Sequence, residues 1–304
     1  MPTTSLAQRI AGAPISWGVC EAPDWGYELA PDRVLREMRS LEITATELGT
    51  TGYLGTDPTE LRATLGRYGM TLIGGFLPVI LHIDPAQDYT AAEAAMAALA
   101  AAGSTVVVLA AQSEDGSYDH KVGLNEREWE TLLSNLHRVE DIARRHGLLP
   151  TLHPHVGTAI ESREAVLTLL ESSSIRLCLD TGHLVIGGMD PLELLGLAAD
   201  RIAHVHLKDV RLNVAATVSA GDTPYIEAVR AGLYAPLGAG DLDIAHIVAA
   251  LEDAGYPGWY VLEQDCALFN EPPTGTGPIL DMTSSVSFLN TVATSLGSRT
   301  ASAS

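Results

Sequence analysis

The sequence predicts an α/β chain closed into a (β/α)8 barrel of the TIM type. Short apolar runs alternate with longer amphipathic segments from one end of the chain to the other. Eight such pairs fit into 304 residues at about 38 residues each, a normal spacing for a barrel. An open, doubly wound sheet would carry a phosphate-binding glycine fingerprint after an early strand. Neither GxGxxG nor GxxxxGK[ST] occurs there.

The strand candidates, in order, are Ala13–Trp17, Ala45–Leu48, Thr71–Leu77, Thr105–Ala111, Leu148–His153, Ile175–Asp180, Ile202–His206 and Trp259–Glu263. Most are rich in Val, Ile, Leu or Thr, as parallel strands buried on both faces are. Helical patterns separate them: Pro31–Leu41, Pro58–Tyr68, Ala91–Ala102, Glu126–His146, Ser162–Glu171, Pro191–Leu197 and Ile244–Ala254. An eighth runs from about Met282 to Val292. Asp57-Pro58 and Asp190-Pro191 each place an N-cap carboxylate before a proline at the first helical position. Gly69, Gly103, Gly147 and Gly255 each close a helix just before a strand.

Residues 1–292 are therefore expected to form a single barrel domain. Two segments depart from a minimal barrel: polar Gln112–Asn125 after strand four, and Val210–Pro236 after strand seven. The second is expected to act as a lid-like loop with a Gly/Ala-rich hinge, Leu237-Gly-Ala-Gly240. The Ser/Ala/Thr-rich residues 293–304 are expected to be a flexible tail.

Eighteen Lys+Arg against 38 Asp+Glu give a formal charge of −20, with no local basic cluster. Such a chain repels phosphate backbones and anionic lipid, so no nucleic acid and no membrane partner is expected. Cys20, Cys178 and Cys266 show neither an even count nor CxxC spacing, which excludes a disulfide framework or a zinc knuckle. The N-terminus lacks the apolar core of a signal peptide, and no apolar stretch is long enough to span a bilayer. A soluble, cytoplasmic protein, with room for a homo-oligomer, is the expectation.

Working residues of a barrel sit at the C-terminal ends of its strands. Those ends carry Glu47, His82, Gln112, His153 with His155, Asp180 with His183, His204 with His206 and Lys208, and Glu263. Six of the chain's ten histidines fall in this set, too many for isolated structural roles. Asp180 ends an apolar strand, where a buried charge needs compensation. Strand alternation puts His204, His206 and Lys208 on one face, with His206 nearer the mouth and His204 deeper as packing. It likewise puts Glu263 and Asp265 on one face, with Glu263 the better ligand. Asp180, His206, Glu263 and a strand-five histidine make a mixed oxygen and imidazole set. Mn²⁺ or Co²⁺ suits it best, and Zn²⁺, Fe²⁺ or Mg²⁺ also fit.

The matching elements run almost the whole length: Ala13-Pro-Ile-Ser-Trp17, Thr46-Glu47-Leu-Gly49, His153-Pro-His155-Val-Gly157-Thr158 and Asp180-Thr-Gly-His183. They continue with His204-Val-His206-Leu-Lys208-Asp209, Leu237-Gly-Ala-Gly240-Asp241-Leu-Asp243 and Gly258-Trp-Tyr-Val-Leu-Glu263-Gln-Asp265. In this order the chain resembles the xylose-isomerase-like superfamily of metal-dependent sugar isomerases and epimerases, and within it the inosose dehydratases. The resemblance implies a divalent metal held by a strand-five residue, Asp180, His206 and Glu263. The wider superfamily usually has glutamate where His153 stands, whereas inosose dehydratases similarly have histidines there.

The chemistry implied is metal-assisted removal of the proton next to the carbonyl of a keto-cyclitol or keto-sugar. His155 and Glu263 are the first candidate bases, with His153 if it is not a ligand, and Lys208 or His183 the candidate acid for the departing hydroxyl. Trp17, Glu47, His82, Gln112 and Arg211 are the candidate substrate contacts. Isomerisation or epimerisation would share the first step. Two other classes are hydrolysis by a metal-bound hydroxide and a non-catalytic barrel that only binds a ligand.

Overall fold

The computed structural model describes residues 5–303. Its first half runs β1 (Ile10–Gly12), α1 (Pro31–Ser40), β2 (Ala45–Glu47), α2 (Pro58–Arg67), β3 (Thr71–Gly74), β4 (Phe76–Val79), α3 (Thr90–Ala102), β5 (Val106–Ala111) and α4 (Glu126–Arg145). Next come β6 (Leu149–Leu152), α5 (Arg163–Ser172), β7 (Arg176–Asp180), α6 (Thr181–Ile186), α7 (Pro191–Ala198) and β8 (Ile202–Leu207). After β9 (Asp209–Val210), α8 (Leu212–Ser219), α9 (Tyr225–Arg230) and β10 (Tyr234–Ala235), the chain ends with α10 (Ile244–Asp253), β11 (Tyr260–Leu262) and α11 (Pro278–Ala303).

The barrel strands pair in parallel in the order β3-β2-β1-β11-β8-β7-β6-β5-β4. β3 and β4 stand at the two ends of that order and are separated by Gly75 alone, so together they are the third barrel strand and the ring closes through it. The first half pairs with β2 and the second with β5. A Cβ at Gly75 would stand 2.6 Å from the Leu99 side chain, which is why the crossing residue carries none. Both faces of the strands are covered. All six residues of β5 are buried, and α1 presents Val34, Leu35 and Met38 to the sheet with no exposure. Each such side chain contributes about 1.5–3 kcal/mol by leaving water.

Two expectations are corrected. The first strand is Ile10–Gly12, and Ala13–Trp17 instead turns through a 3₁₀ helix at Pro14–Trp17. Pro14 has no N–H to give a ladder, so the apolar run bends under the barrel mouth. Residues 293–303, expected as a flexible tail, lie in the last turns of α11. Its hydroxyls bond back one turn, as in Thr291 to the Ser287 carbonyl, Thr294 to Asn290 and Ser298 to Thr294. Ser304 lies outside the described residues.

The excursion 210–236 is a folded cap rather than a loop. β9 and β10 pair antiparallel at its base, and α8 and α9 pack Ala215, Val218, Tyr225, Ala228 and Val229 into an apolar cluster with Trp25, Val156 and Ile186. The Leu237–Gly240 segment, expected as a hinge, is a turn tied to β9. The Asp209 carboxylate accepts the backbone N–H groups of Gly238, Gly240 and Leu242, pinning the turn. Among the described residues, no helix is long and apolar enough to cross a membrane.

Candidate active site

The strand ends converge on one cavity of about 70 Å³ at the C-terminal mouth. Glu47, His153, His155, His206, Lys208, Glu263 and Asp265 supply its polar wall, and Phe76, Tyr118, Trp25 and Tyr225 its aromatic one.

At its floor, Glu47 Oε1 faces His204 Nε2 at 2.6 Å and His206 Nε2 at 3.1 Å. An ionised carboxylate only accepts, so both imidazoles donate, and His206 in its neutral form carries its proton on Nε2. Its Nδ1 then points a lone pair at Glu263 Oε2, 3.2 Å away, and Asp180 Oδ2, 3.7 Å away, without hydrogen-bond geometry to either. His153 Nε2 stands 3.3 Å from the same Asp180 oxygen. The other oxygen, Asp180 Oδ1, accepts the N–H groups of Gly182 and His183 and so fixes the carboxylate over the first turn of α6. Lone pairs converging on one buried point repel one another unless a positive charge lies among them. His206 supplies that charge as an imidazolium. Burial opposes its protonation, but the negative charges of Glu263 and Glu47, with Asp180 beside them, hold its pKa well above the usual value. The same donors, spaced as ligand atoms each about 2.0–2.2 Å from one ion would be, fit a divalent cation. Asp180, His206 and Glu263, whose ligand atoms all lie within 4.8 Å of one another, are the residues that would hold it, with His153 reaching the same Asp180 oxygen. The Cys178 thiol lies within reach of His153 and His206, and burial pushes its pKa up to about 11, so it stays protonated.

Lys208 Nζ stands between Glu263 Oε2 at 2.7 Å and Asp265 Oδ1 at 2.6 Å, with Asp180 Oδ2 at 3.5 Å. Burial opposes its charge, but these three carboxylates raise its pKa well above the ordinary lysine value. The glycine of the Asp180-Thr-Gly-His183 motif makes room for it, since a Cβ at Gly182 would meet Tyr234 at 2.8 Å and Lys208 at 2.9 Å. His155 Nδ1 lies 2.8 Å from the Val156 carbonyl and must donate to it, which leaves Nε2 unprotonated. Burial first, then the charge of His153, pushes its pKa down to about 3, so it is a neutral imidazole. His183 lies behind it, ring centroids 3.8 Å apart, and does not line the cavity.

Several candidate contacts lie elsewhere. Trp17 is fully buried beneath the mouth and gives its indole N–H to Glu37 at 2.8 Å. His82 lines a separate recess with Glu114, Asp115 and His120. Gln112 lines a cavity that adjoins the main one through Tyr118 and His155 but does not enter the main one. Arg211 points away and donates to the Gly232 and Tyr234 carbonyls at the base of the cap. Glu47 does line the cavity, but its bonds go to His204 and His206. His204, expected as packing, is thus part of the polar floor. Tyr118, Tyr225 and Asp265 are the residues that sequence reasoning left without a role. For Asp265 the signal was present, since alternation places it beside Glu263.

Three connections interlock above the cavity. Asp119 accepts the Tyr225 N–H at 2.7 Å and so caps α9, and Lys121 donates to the Ser219 carbonyl at the end of α8. Arg230 of the cap donates to the carbonyls of Asp24 and Trp25 in the loop after β1, while Tyr118 donates to Glu21 at 2.8 Å.

A closed parallel barrel with an imidazole and carboxylate cluster at its C-terminal mouth is the build of a barrel enzyme able to use a divalent metal. The chain belongs to the xylose isomerase-like TIM barrel family, whose model matches residues 28–285, and is an enzyme of that kind. It is 32% identical over 275 residues to an inosose dehydratase of Geobacillus thermodenitrificans (strain NG80-2), covering 86% of this chain and 92% of the relative. It is 30% identical over 267 residues to that of Lacticaseibacillus casei, covering 83% and 88%. Among solved structures, an L-ribulose 3-epimerase superposes with a TM-score of 0.69 at 17% identity, covering 97% of each chain. An IolI protein with a bound zinc atom superposes with a TM-score of 0.67 at 13% identity, covering 95% of this chain and 99% of the other. At these identities the structures show a shared fold.

Proposed function

We propose that the chain is a metal-dependent lyase of the inosose dehydratase type. It would remove the proton next to the carbonyl of a keto-cyclitol or related keto-sugar and then eliminate water. The observation that carries this reading is the convergence of His206 Nδ1 with the Asp180 and Glu263 carboxylates at the floor of the cavity. The inosose dehydratases that match over most of the chain support the cyclitol substrate and the elimination.

A divalent cation held by His153, Asp180, His206 and Glu263, with Mn²⁺ or Co²⁺ the first choice, would polarise a carbonyl oxygen as a Lewis acid. The remaining work falls to side chains of this chain. Neutral His155, with Nδ1–H fixed on the Val156 carbonyl, offers Nε2 at the cavity wall to accept the α-proton. Lys208, held charged among three carboxylates, has protons to give to the departing β-hydroxyl. His183 backs the His155 ring. Phe76, Tyr118 and the cap exclude water, which strengthens every charge interaction inside.

The test is incubation of the purified protein with a keto-inositol and a ketose panel in D₂O, before and after chelation and after Mn²⁺ is returned. Deuterium at the carbon next to the carbonyl reports proton removal, and loss of one water from the product mass reports elimination. Wash-in with no mass loss would identify an isomerase or epimerase that shares the first step. Neither wash-in nor loss of water with any member of the panel would overturn the reading.

A further inference from the structure

Lys208 is held in place from the cap. Its ammonium has three protons and three carboxylates nearby, but two of these, Glu263 and Asp180, offer it the oxygens that also face His206 Nδ1. A cation bound among those oxygens would compete with Lys208 for both and repel it. Asp265 is the remaining carboxylate. It belongs to no cluster that gathers around His206, and its Oδ1 lies 2.6 Å from Nζ. Its second oxygen, Oδ2, accepts the Tyr225 hydroxyl at 2.6 Å. That hydroxyl has one proton and spends it on Asp265, so Tyr234, 2.8 Å further on, must donate to Tyr225. The result is an oriented chain, Tyr234 to Tyr225 to Asp265, with Lys208 donating to Asp265 from the other side. All four residues are buried, and Lys208 also lies over the Tyr234 ring at 5.5 Å. Tyr225 opens α9 and Tyr234 forms β10, so both belong to the cap.

We propose that Asp265 and Tyr225 are positioning residues for Lys208. They keep its ammonium at the cavity wall when the neighbouring carboxylates are engaged elsewhere, and they do so only while the cap is seated. The inference rests on the proposed function for what Lys208 then does, but not for where Lys208 is held.

The chain contains just two lysines, Lys121 on the surface and Lys208, which makes the test clean. The protein is loaded with Mn²⁺ and treated with limiting acetic anhydride, and acetylation of the two side chains is followed by peptide mass spectrometry. Wild type should acetylate Lys121 and spare Lys208. Tyr225→Phe, which removes one hydroxyl and keeps the ring, should raise the Lys208 rate at least several-fold relative to Lys121. Asp265→Asn should raise it further. On any substrate that the wild type turns over, both variants should lower kcat with little change in KM or in bound Mn²⁺. Asp265→Glu should restore part of the protection. If Asp265→Asn does not fold, Tyr225→Phe still decides. Unchanged Lys208 protection in a folded Tyr225→Phe protein would overturn the proposal. Absence of turnover in wild type would instead count against the proposed function, because labelling needs no substrate.

Discussion

Glu47 Oε1 lies 3.1 Å from His206 Nε2, on the ring edge opposite the nitrogen that faces Asp180 and Glu263. One carboxylate therefore decides which nitrogen of His206 keeps its lone pair. Partners of this kind orient a metal-binding imidazole and raise its basicity, and losing one typically costs about 10–100-fold in metal affinity. Glu47→Gln is expected to weaken Mn²⁺ binding by that factor, measured by competition with a chelator of known affinity. Affinity equal to wild type would detach Glu47 from the cation site and return it to the candidate substrate contacts.

Glu263→Gln separates the cation site from the fold. Glu263 meets His206 and Lys208 but supports no helix cap, so the apo variant should melt close to apo wild type. Wild type should gain stability from Mn²⁺: at a free concentration one hundred times Kd the gain is about 2.7 kcal/mol. For a chain of this size that corresponds to about 4 °C in Tm. The variant should show little of this shift in a calorimetric scan. An equal shift in both proteins would mean that the ion binds elsewhere.

Trp17 should matter for stability and not for substrate. Its indole satisfies one oxygen of Glu37, whose other oxygen takes Arg33 Nε at 2.8 Å. Trp17→Phe would leave a buried carboxylate oxygen without its donor, at a cost of about 1–3 kcal/mol. Urea unfolding should show that loss while KM and Mn²⁺ affinity hold. A raised KM in an otherwise stable variant would restore Trp17 to the binding surface.

Gly157 carries the segment 112–125 across the mouth. Its φ is +75°, and a Cβ there would stand 2.5 Å from both the Ser117 carbonyl and the Tyr118 Cα. Backbone cannot yield as a side chain can, and the left-handed conformation alone costs about 1–2 kcal/mol for an L-residue. Gly157→Ala is therefore expected to lift Tyr118 from His155. A lysine-specific endoprotease, which has only Lys121 and the buried Lys208 to attack, should then cut after Lys121 several times faster. An unchanged cleavage rate would show that the segment accommodates the methyl group without moving.

What the sequence made legible follows from how parallel strands are written. A strand buried on both faces is an apolar run, so a polar residue at its C-terminal end stands out, and His153, Asp180, His206 and Glu263 were all picked as candidates this way. The opening strand was misread because Ala13–Trp17 is as apolar as a strand, and the effect of Pro14 on the ladder outweighs composition. Glu47, His204 and His206 meet across more than 150 residues of sequence, a pairing that no local pattern contains. Arg211 looked like a substrate contact because excursions at a barrel mouth read as mobile. Here the excursion has its own apolar cluster, and the guanidinium is consumed in closing its base.

The ties over the cavity join three separate connections of the barrel, and each is anchored to the cap. The ties bear on how long a small molecule stays in the cavity, so a substitution remote from its walls, at Asp119 or Arg230, is expected to shorten that residence.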